Sequence, residues 1–209
     1  MKREILGVVM CGGASARMGR DKASLEVRPG EEQLERQLRL LALYCGKLAA
    51  SVGPSDRSQR VLPTGVEAIL DVEGLGGPMA GIVAALRFAR GIPVLALACD
   101  MPFLDASHLF QLVNRRDPEA LATAFVACDG MPDPMCAIYE PRCLPELESL
   151  GGAGKSSLRR FLQDRRVERV EVENPQFLAS VNDPRELEEA RRRLGGLADS
   201  QEFSAKKGD

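Results

Sequence analysis

GVVMCGGASARMGRDK, residues 7–22, is an apolar run that stops at two glycines and continues into a short cationic loop. The run begins at Ile5, spans ILGVVM (5–10), and suits a buried first strand better than a short signal peptide, because the glycines follow at once. Gly12 and Gly13 leave backbone N–H groups open to close approach by a polyphosphate, and Gly19 adds a second flexible point. Arg17 and Lys22 are two cations in one small loop, suited to neutralising a triphosphate and the charge that builds during displacement. Asp21 is placed to hold Lys22. The spacing G-G-x5-G is not the dinucleotide fingerprint G-x-G-x-x-G.

Beyond this stretch, apolar runs alternate with amphipathic ones. Strands are expected at 47–52, 67–70, 93–99, 121–127, 135–139 and 167–172, the last an edge strand in which Val alternates with Glu and Arg. Helices are expected at 31–43, with Leu34, Leu38, Leu41 and Ala42 inward, and at 78–90, 105–114, 141–150 and 156–165. The charged stretch 183–194 completes the set, with Leu187, Ala190 and Leu194 inward. PVLALAC (93–99) is apolar throughout, as a parallel strand covered on both faces is. The implied fold is α/β: a mostly parallel, doubly wound open sheet with helices on both faces. The 209 residues form a single domain over 1–194, with a disordered tail over 195–209.

Composition narrows the function. The net charge of −2, with both signs mixed along the chain, argues against bulk binding to nucleic acid or an anionic membrane surface. No apolar run reaches the ~18 residues of a membrane span, and a cytoplasmic location is expected. Six cysteines without C-x-x-C spacing read as small buried hydrophobes in a reducing compartment. The single histidine, His108, gives little support to Ser-His or Cys-His catalysis or to His-based metal sites.

Open α/β sheets bind ligands beyond the carboxyl ends of their strands, so chemistry belongs just after strands. Residues 11–22 pass that test. So does Asp100, directly after 93–99, as a hard oxygen ligand suited to Mg²⁺; Asp105 is the better helix cap. Asp71, ahead of the glycines at 76, 77 and 81, is a third element. GGAGKSS (151–157) fails. A P-loop needs a glycine where Ser149 stands, and must follow a strand rather than the helix expected at 141–150.

GVVMCGGASARMGRDK, then D-x4-GGPMAGI, CDMPFL and the late SVNDPREL, in this order, resemble the molybdenum cofactor guanylyltransferases, a Rossmann-like nucleotidyltransferase family, over residues 7 to about 187. The resemblance implies transfer of GMP from Mg·GTP to the terminal phosphate of molybdopterin, with release of pyrophosphate. By motif, Met10, Cys11, Gly12, Gly13, Lys22, Asp71 and Asp100 fall at nucleotide-binding positions. Arg17, Lys22 and Asp100 take the catalytic roles, Asp100 is the Mg²⁺ ligand, and Asn182 falls on the acceptor side. Contact with molybdoenzymes or other cofactor-biosynthesis proteins is compatible with it. The chain departs from the family with Met10-Cys11 for Leu-Ala, Ser180 for the first Asn of the late motif, and Asp133-Pro134 for His-Pro. Ser51 lies near a position that is often Asn, and Lys155, Arg159 and Arg160 are within reach of the pterin side. Three other readings stay open: a related transferase using CTP or another acceptor, a P-loop ATPase built on 151–157, and a non-catalytic nucleotide-binding partner of a molybdoenzyme.

Overall fold

The computed structural model describes residues 3–11, 22–53 and 61–205. Seven strands form one sheet, in the order β5-β4-β1-β6-β8-β7-β9. They are β1 (Arg3–Met10), β4 (Cys45–Val52), β5 (Val66–Leu70), β6 (Val94–Ala98), β7 (Ala122–Val126), β8 (Pro132–Tyr139) and β9 (Val167–Val170). A small antiparallel hairpin, β2 (Glu26–Arg28) and β3 (Glu31–Glu32), stands apart. β5, β4, β1 and β6 are mutually parallel; β8 runs antiparallel to both β6 and β7, and β9 rejoins β7 in parallel. β9 is an edge strand, as its Val/charged alternation requires.

Side chains alternate across a strand, so β1 feeds two cores. Ile5 and Val9, with Leu95 and Leu97 of β6, meet α1 (Gln33–Ala42) and α3 (Ala106–Asn114) through Leu34, Leu38, Leu41, Leu109 and Leu112. Leu6, Val8 and Met10 face the other way. They join Met79 and Ile82 of α2 (Pro78–Ala89), Leu147 of α4 (Leu144–Gly152), and Leu158 and Phe161 of α5 (Leu158–Gln163). Every residue of β6 is buried, which explains its unbroken apolar sequence. α6 (Pro184–Ala205) runs past Gly195 into the segment expected as a disordered tail, of which residues 206–209 lie outside the described residues. Its Ala190 and Leu187 pack with Val27 of β2 and Val181 in a third, small cluster.

Several elements differ in extent from the sequence reading. α1 starts at Gln33 because Glu31 and Glu32 are taken up by the hairpin. β8 starts at Pro132, earlier than expected. The Asp133 carboxylate takes the backbone N–H groups of Met135 and Cys136, so the chain around Pro134 is satisfied by a side chain rather than by the ladder. Asp105 caps α3 as expected. It accepts from the N–H groups of Ser107 and His108, while His108 Nδ1 accepts from Asp105 N. The sole histidine thus serves a helix end, and it stacks on Phe177 with ring centroids 3.7 Å apart.

Residues 151–157 form a helix connector. Gly151 and Gly152 close α4, Gly154 turns the chain at φ +72°, and Ser157 caps α5 through Arg160 N. All six cysteines are free; Cys128 is exposed and the other five are buried. Among the described residues no helix is long and apolar enough to cross a membrane.

Candidate active site

β1 is the switch point of the sheet. β4 and β5 extend it on one side and β6 begins the other half, which opens a crevice beyond the carboxyl ends of β1, β4, β5 and β6. The carboxyl ends of all four strands border that crevice. Short extensions of the ladder hold the exits in place: Cys11 N donates to Ser51 O at 3.0 Å, Asp71 N to Val52 O at 3.2 Å, and Cys99 N to Met10 O at 3.3 Å.

Two polar groupings result. In the first, Lys22 Nζ donates to Asp100 Oδ2 at 2.8 Å and to Asn182 Oδ1 at 2.6 Å. The Lys22 and Asp100 side chains are only 22% and 13% exposed, so the pair is more than a solvated surface contact. Asn182 is delivered from the far end of the chain by Val181 N, which donates to Asp100 O at 2.9 Å. Two hard oxygens, one carboxylate and one amide, thus converge on a single cation. This is the donor type that Mg²⁺ takes, with substrate phosphates supplying the rest of its shell. Among the described residues no group of three or more His, Cys, Asp or Glu could hold a metal by itself.

The second grouping lies at β4, β5 and α2. The Ser51 hydroxyl, fully buried, donates to Asp71 Oδ1. Gly81 faces this pair and Met10: a Cβ there would lie 2.5 Å from Ser51 Oγ and 3.1 Å from Asp71 Oδ1, and would overlap the Met10 methyl. Only a glycine lets α2 sit this close.

A cavity of about 410 Å³ adjoins the Lys22 grouping, lined by Met10, Cys11, Lys22, Asp100, Asp133 and Arg159 among others. Ser180 and Pro134 also reach it, so the positions where this chain departs from the family pattern all line this one cavity. Burial pushes the Asp133 carboxyl above the usual carboxylate range, against the opposing pull of the Met135 and Cys136 N–H groups and Arg159. Arg159 ion-pairs with Asp129 at 2.8 Å, while its Nε has no hydrogen-bond partner.

Of the residues singled out in the sequence, Met10, Cys11, Lys22 and Asp100 line one cavity, Asn182 joins them through Lys22, and Asp71 stands at the same end of the sheet. Gly12, Gly13 and Arg17 lie outside the described residues, as does Asp21. Among the described residues, Lys22 is held by Asp100 and Asn182. Sequence reasoning missed the Ser51–Asp71 bond, although Ser51 lies at the carboxyl end of β4 and Asp71 directly follows β5.

The profile of the MobA-like NTP transferase domain matches residues 7–170. The molybdenum cofactor guanylyltransferase of Pseudomonas putida is 31% identical over 185 residues, covering 87% of this chain and 95% of that protein. A molybdenum cofactor biosynthesis bifunctional protein of Synechocystis is 28% identical over 181 residues, 86% of this chain, which spans about half (52%) of that relative's length. Among solved structures, the molybdopterin-guanine dinucleotide biosynthesis protein A of Archaeoglobus fulgidus superposes with a TM-score of 0.69 at 22% identity. That superposition covers 91% of this chain and 99% of the other. With the sheet, its switch-point crevice and this match, the chain belongs to the MobA-like NTP transferase family.

Proposed function

We propose that the chain transfers GMP from Mg·GTP to the terminal phosphate of molybdopterin, releasing pyrophosphate and forming the guanine dinucleotide cofactor. The observation that carries this reading is the convergence of Lys22, Asp100 and Asn182 at the mouth of a cavity at the switch point of the sheet. An acceptor phosphate oxygen attacks the α-phosphorus in line; the new P–O bond forms as the Pα–O bond to pyrophosphate breaks. No protein nucleophile is required, so the work is positioning and charge stabilisation.

Lys22 is the cation for the departing pyrophosphate, assisted by Arg17. Gly12 and Gly13 offer backbone N–H groups to the phosphates. Asp100 is the metal ligand, and the Asn182 amide oxygen, on the same point as Asp100, is a second oxygen beside it. When bound, Mg²⁺ supplies charge neutralisation on the phosphate oxygens. Met10 and Cys11 contact the nucleotide through their backbone. Asp71, oriented by Ser51, is an acceptor suited to the adjacent N1–H and 2-amino donors of guanine. Cytosine presents no such adjacent pair, which favours GTP over CTP. Asp133, Pro134, Arg159 and Ser180 form the wall facing the acceptor, with Arg159 as the cation nearest its phosphate.

The test is incubation with molybdopterin, Mg²⁺ and each of GTP, CTP, ATP and UTP, following pyrophosphate and dinucleotide product. Product from GTP alone is expected. Product from CTP in place of GTP would reassign the base, and nucleotide binding without turnover would make the chain a non-catalytic partner.

A further inference from the structure

α1 carries a stripe that its hydrophobic pattern does not explain. Beside Leu34, Leu38 and Leu41 it buries Gln33, Arg36 and Gln37, which are 2%, 8% and 0% exposed. These lie at i, i+3 and i+4, so they form a polar edge of the inward face. The arrangement is costly. Both polar atoms of the Gln33 side chain, Arg36 Nη1 and Gln37 Oε1 have no hydrogen-bond partner. Arg36 has no carboxylate in ion-pair contact among the described residues. Burial, with Arg28 nearby and Asp105 only partly compensating, brings its pKa down to about 10.

The contacts these residues do make fall on one segment. Gln37 Nε2 donates to Met101 O at 2.8 Å, and Arg36 Nη2 donates to Leu104 O. Tyr44, just beyond α1, donates its hydroxyl to Ala106 O at 2.8 Å, and Val181 N holds Asp100 O from the opposite side. The turn from Asp100 to the start of α3 is therefore gripped by four of its carbonyls. Loops without such contacts open locally at little cost. A carboxylate that must meet a metal and two sets of phosphates within a fraction of an ångström needs the opposite.

We propose that Gln37 and Arg36 are positioning residues for the Asp100 carboxylate, fixing by its backbone the turn on which Asp100 stands. They touch neither substrate nor metal. Their buried polar atoms cost stability, and what they return is the aim of Asp100. This rests on the reading of Asp100 as the metal ligand.

The test measures metal binding directly, by electron paramagnetic resonance titration of Mn²⁺ in the presence of the α,β-methylene analogue of GTP. Gln37→Met keeps the length of the side chain and removes the donor. It is expected to raise the Mn²⁺ half-saturation about tenfold, as loss of an outer-shell partner does, with nucleotide affinity in EDTA unchanged. Leu147→Ala, in the core on the opposite face of the sheet, lowers Tm and leaves the Mn²⁺ half-saturation where it was. If Gln37→Met binds Mn²⁺ as the wild type does while Asp100→Asn loses it, the proposal is wrong and the Asp100 reading stands. If Asp100→Asn also binds normally, the Asp100 reading fails and takes the proposal with it. Should Gln37→Met not fold, Arg36→Lys keeps the buried charge and shortens its reach to Leu104, and an unchanged half-saturation there overturns the proposal equally.

Discussion

Lys22→Ala separates chemistry from stability more cleanly than any other change in the site. The lysine makes two hydrogen bonds, to Asp100 at 2.8 Å and Asn182 at 2.6 Å. Hydrogen bonds to charged groups contribute about 1.5–3 kcal/mol each before the freed partners rehydrate. Asp100 and Asn182 both border an open crevice and regain water, so a net loss of about 1–3 kcal/mol follows. For a chain near 200 residues each kcal/mol moves Tm by about 2–4 °C, so Tm falls by roughly 2–12 °C. A protein with about 5 kcal/mol of stability that loses 3 still keeps about 97% of its molecules folded. Unfolding therefore removes only a few per cent of the activity.

The expected loss of turnover is far larger. Removing one preorganised donor to developing charge costs about 100- to 1000-fold in kcat. The assay is pyrophosphate release at saturating GTP, Mg²⁺ and acceptor, paired with a thermal melt of the same preparation. Lys22→Arg is the sharper companion. It keeps the charge but puts a planar fork where an ammonium bridges two oxygens, and it recovers only part of the rate. A Lys22→Ala protein that melts as described yet turns over within about threefold of wild type would refute the assignment.

Gly81→Ala places a methyl 2.5 Å from Ser51 Oγ, an overpacking that costs about 1–3 kcal/mol and breaks the Ser51–Asp71 alignment. Its KM for GTP should rise and its preference for GTP over CTP should shrink, read from initial rates with each nucleotide. His108 is held below its ordinary pKa chiefly by burial, with Asp105 partly offsetting, so the unfolded chain binds its proton more readily. Stability from this site is complete above the unfolded value of about 6.5 and falls as pH drops toward the lower folded value. Melts at pH 7.5 and 5.5 should show a smaller acid loss in His108→Gln, which retains an acceptor for Asp105 N. Lys155→Ala should leave the KM for GTP unchanged within about twofold, because residues 151–157 connect two helices; a large rise would restore the P-loop reading.

The parts of the fold legible in the sequence are those where one local signal and one global demand agree. The apolar runs of β1 and β6 are unbroken because both strands are interior and covered on both faces, and Asp105 is a cap in sequence and structure alike. β8 was harder. Two prolines in Pro132–Tyr139 argue against an interior strand, and only the Asp133 side chain, standing in for ladder partners, removes the conflict. The hairpin Glu26–Glu32 is too short and too charged to carry a period. Gln33, Arg36 and Gln37 look like the solvent face of α1, and nothing in residue type says that Arg36 and Gln37 find carbonyl partners in a turn more than 60 residues away. Lys22 and Asn182 lie 160 residues apart, which no local pattern can bridge.

That last separation explains how the site is assembled. Lys22 enters the crevice at the start of a segment anchored by Val27, and Asn182 follows directly on Val181. Val27, Val181 and Ala190 are one cluster, so the anchors of the lysine and of the asparagine are packed against each other. Arg191 of α6 reinforces this by donating to Glu26 O through both Nε and Nη2. The sheet brings Asp100, Asp71 and the end of β1 to one end of the molecule. The convergence on Lys22 requires α6 to dock on the hairpin. A small cluster remote from the central core thus sets the distance between the two oxygens and the ammonium, and loosening it should disturb the chemistry before it disturbs the fold.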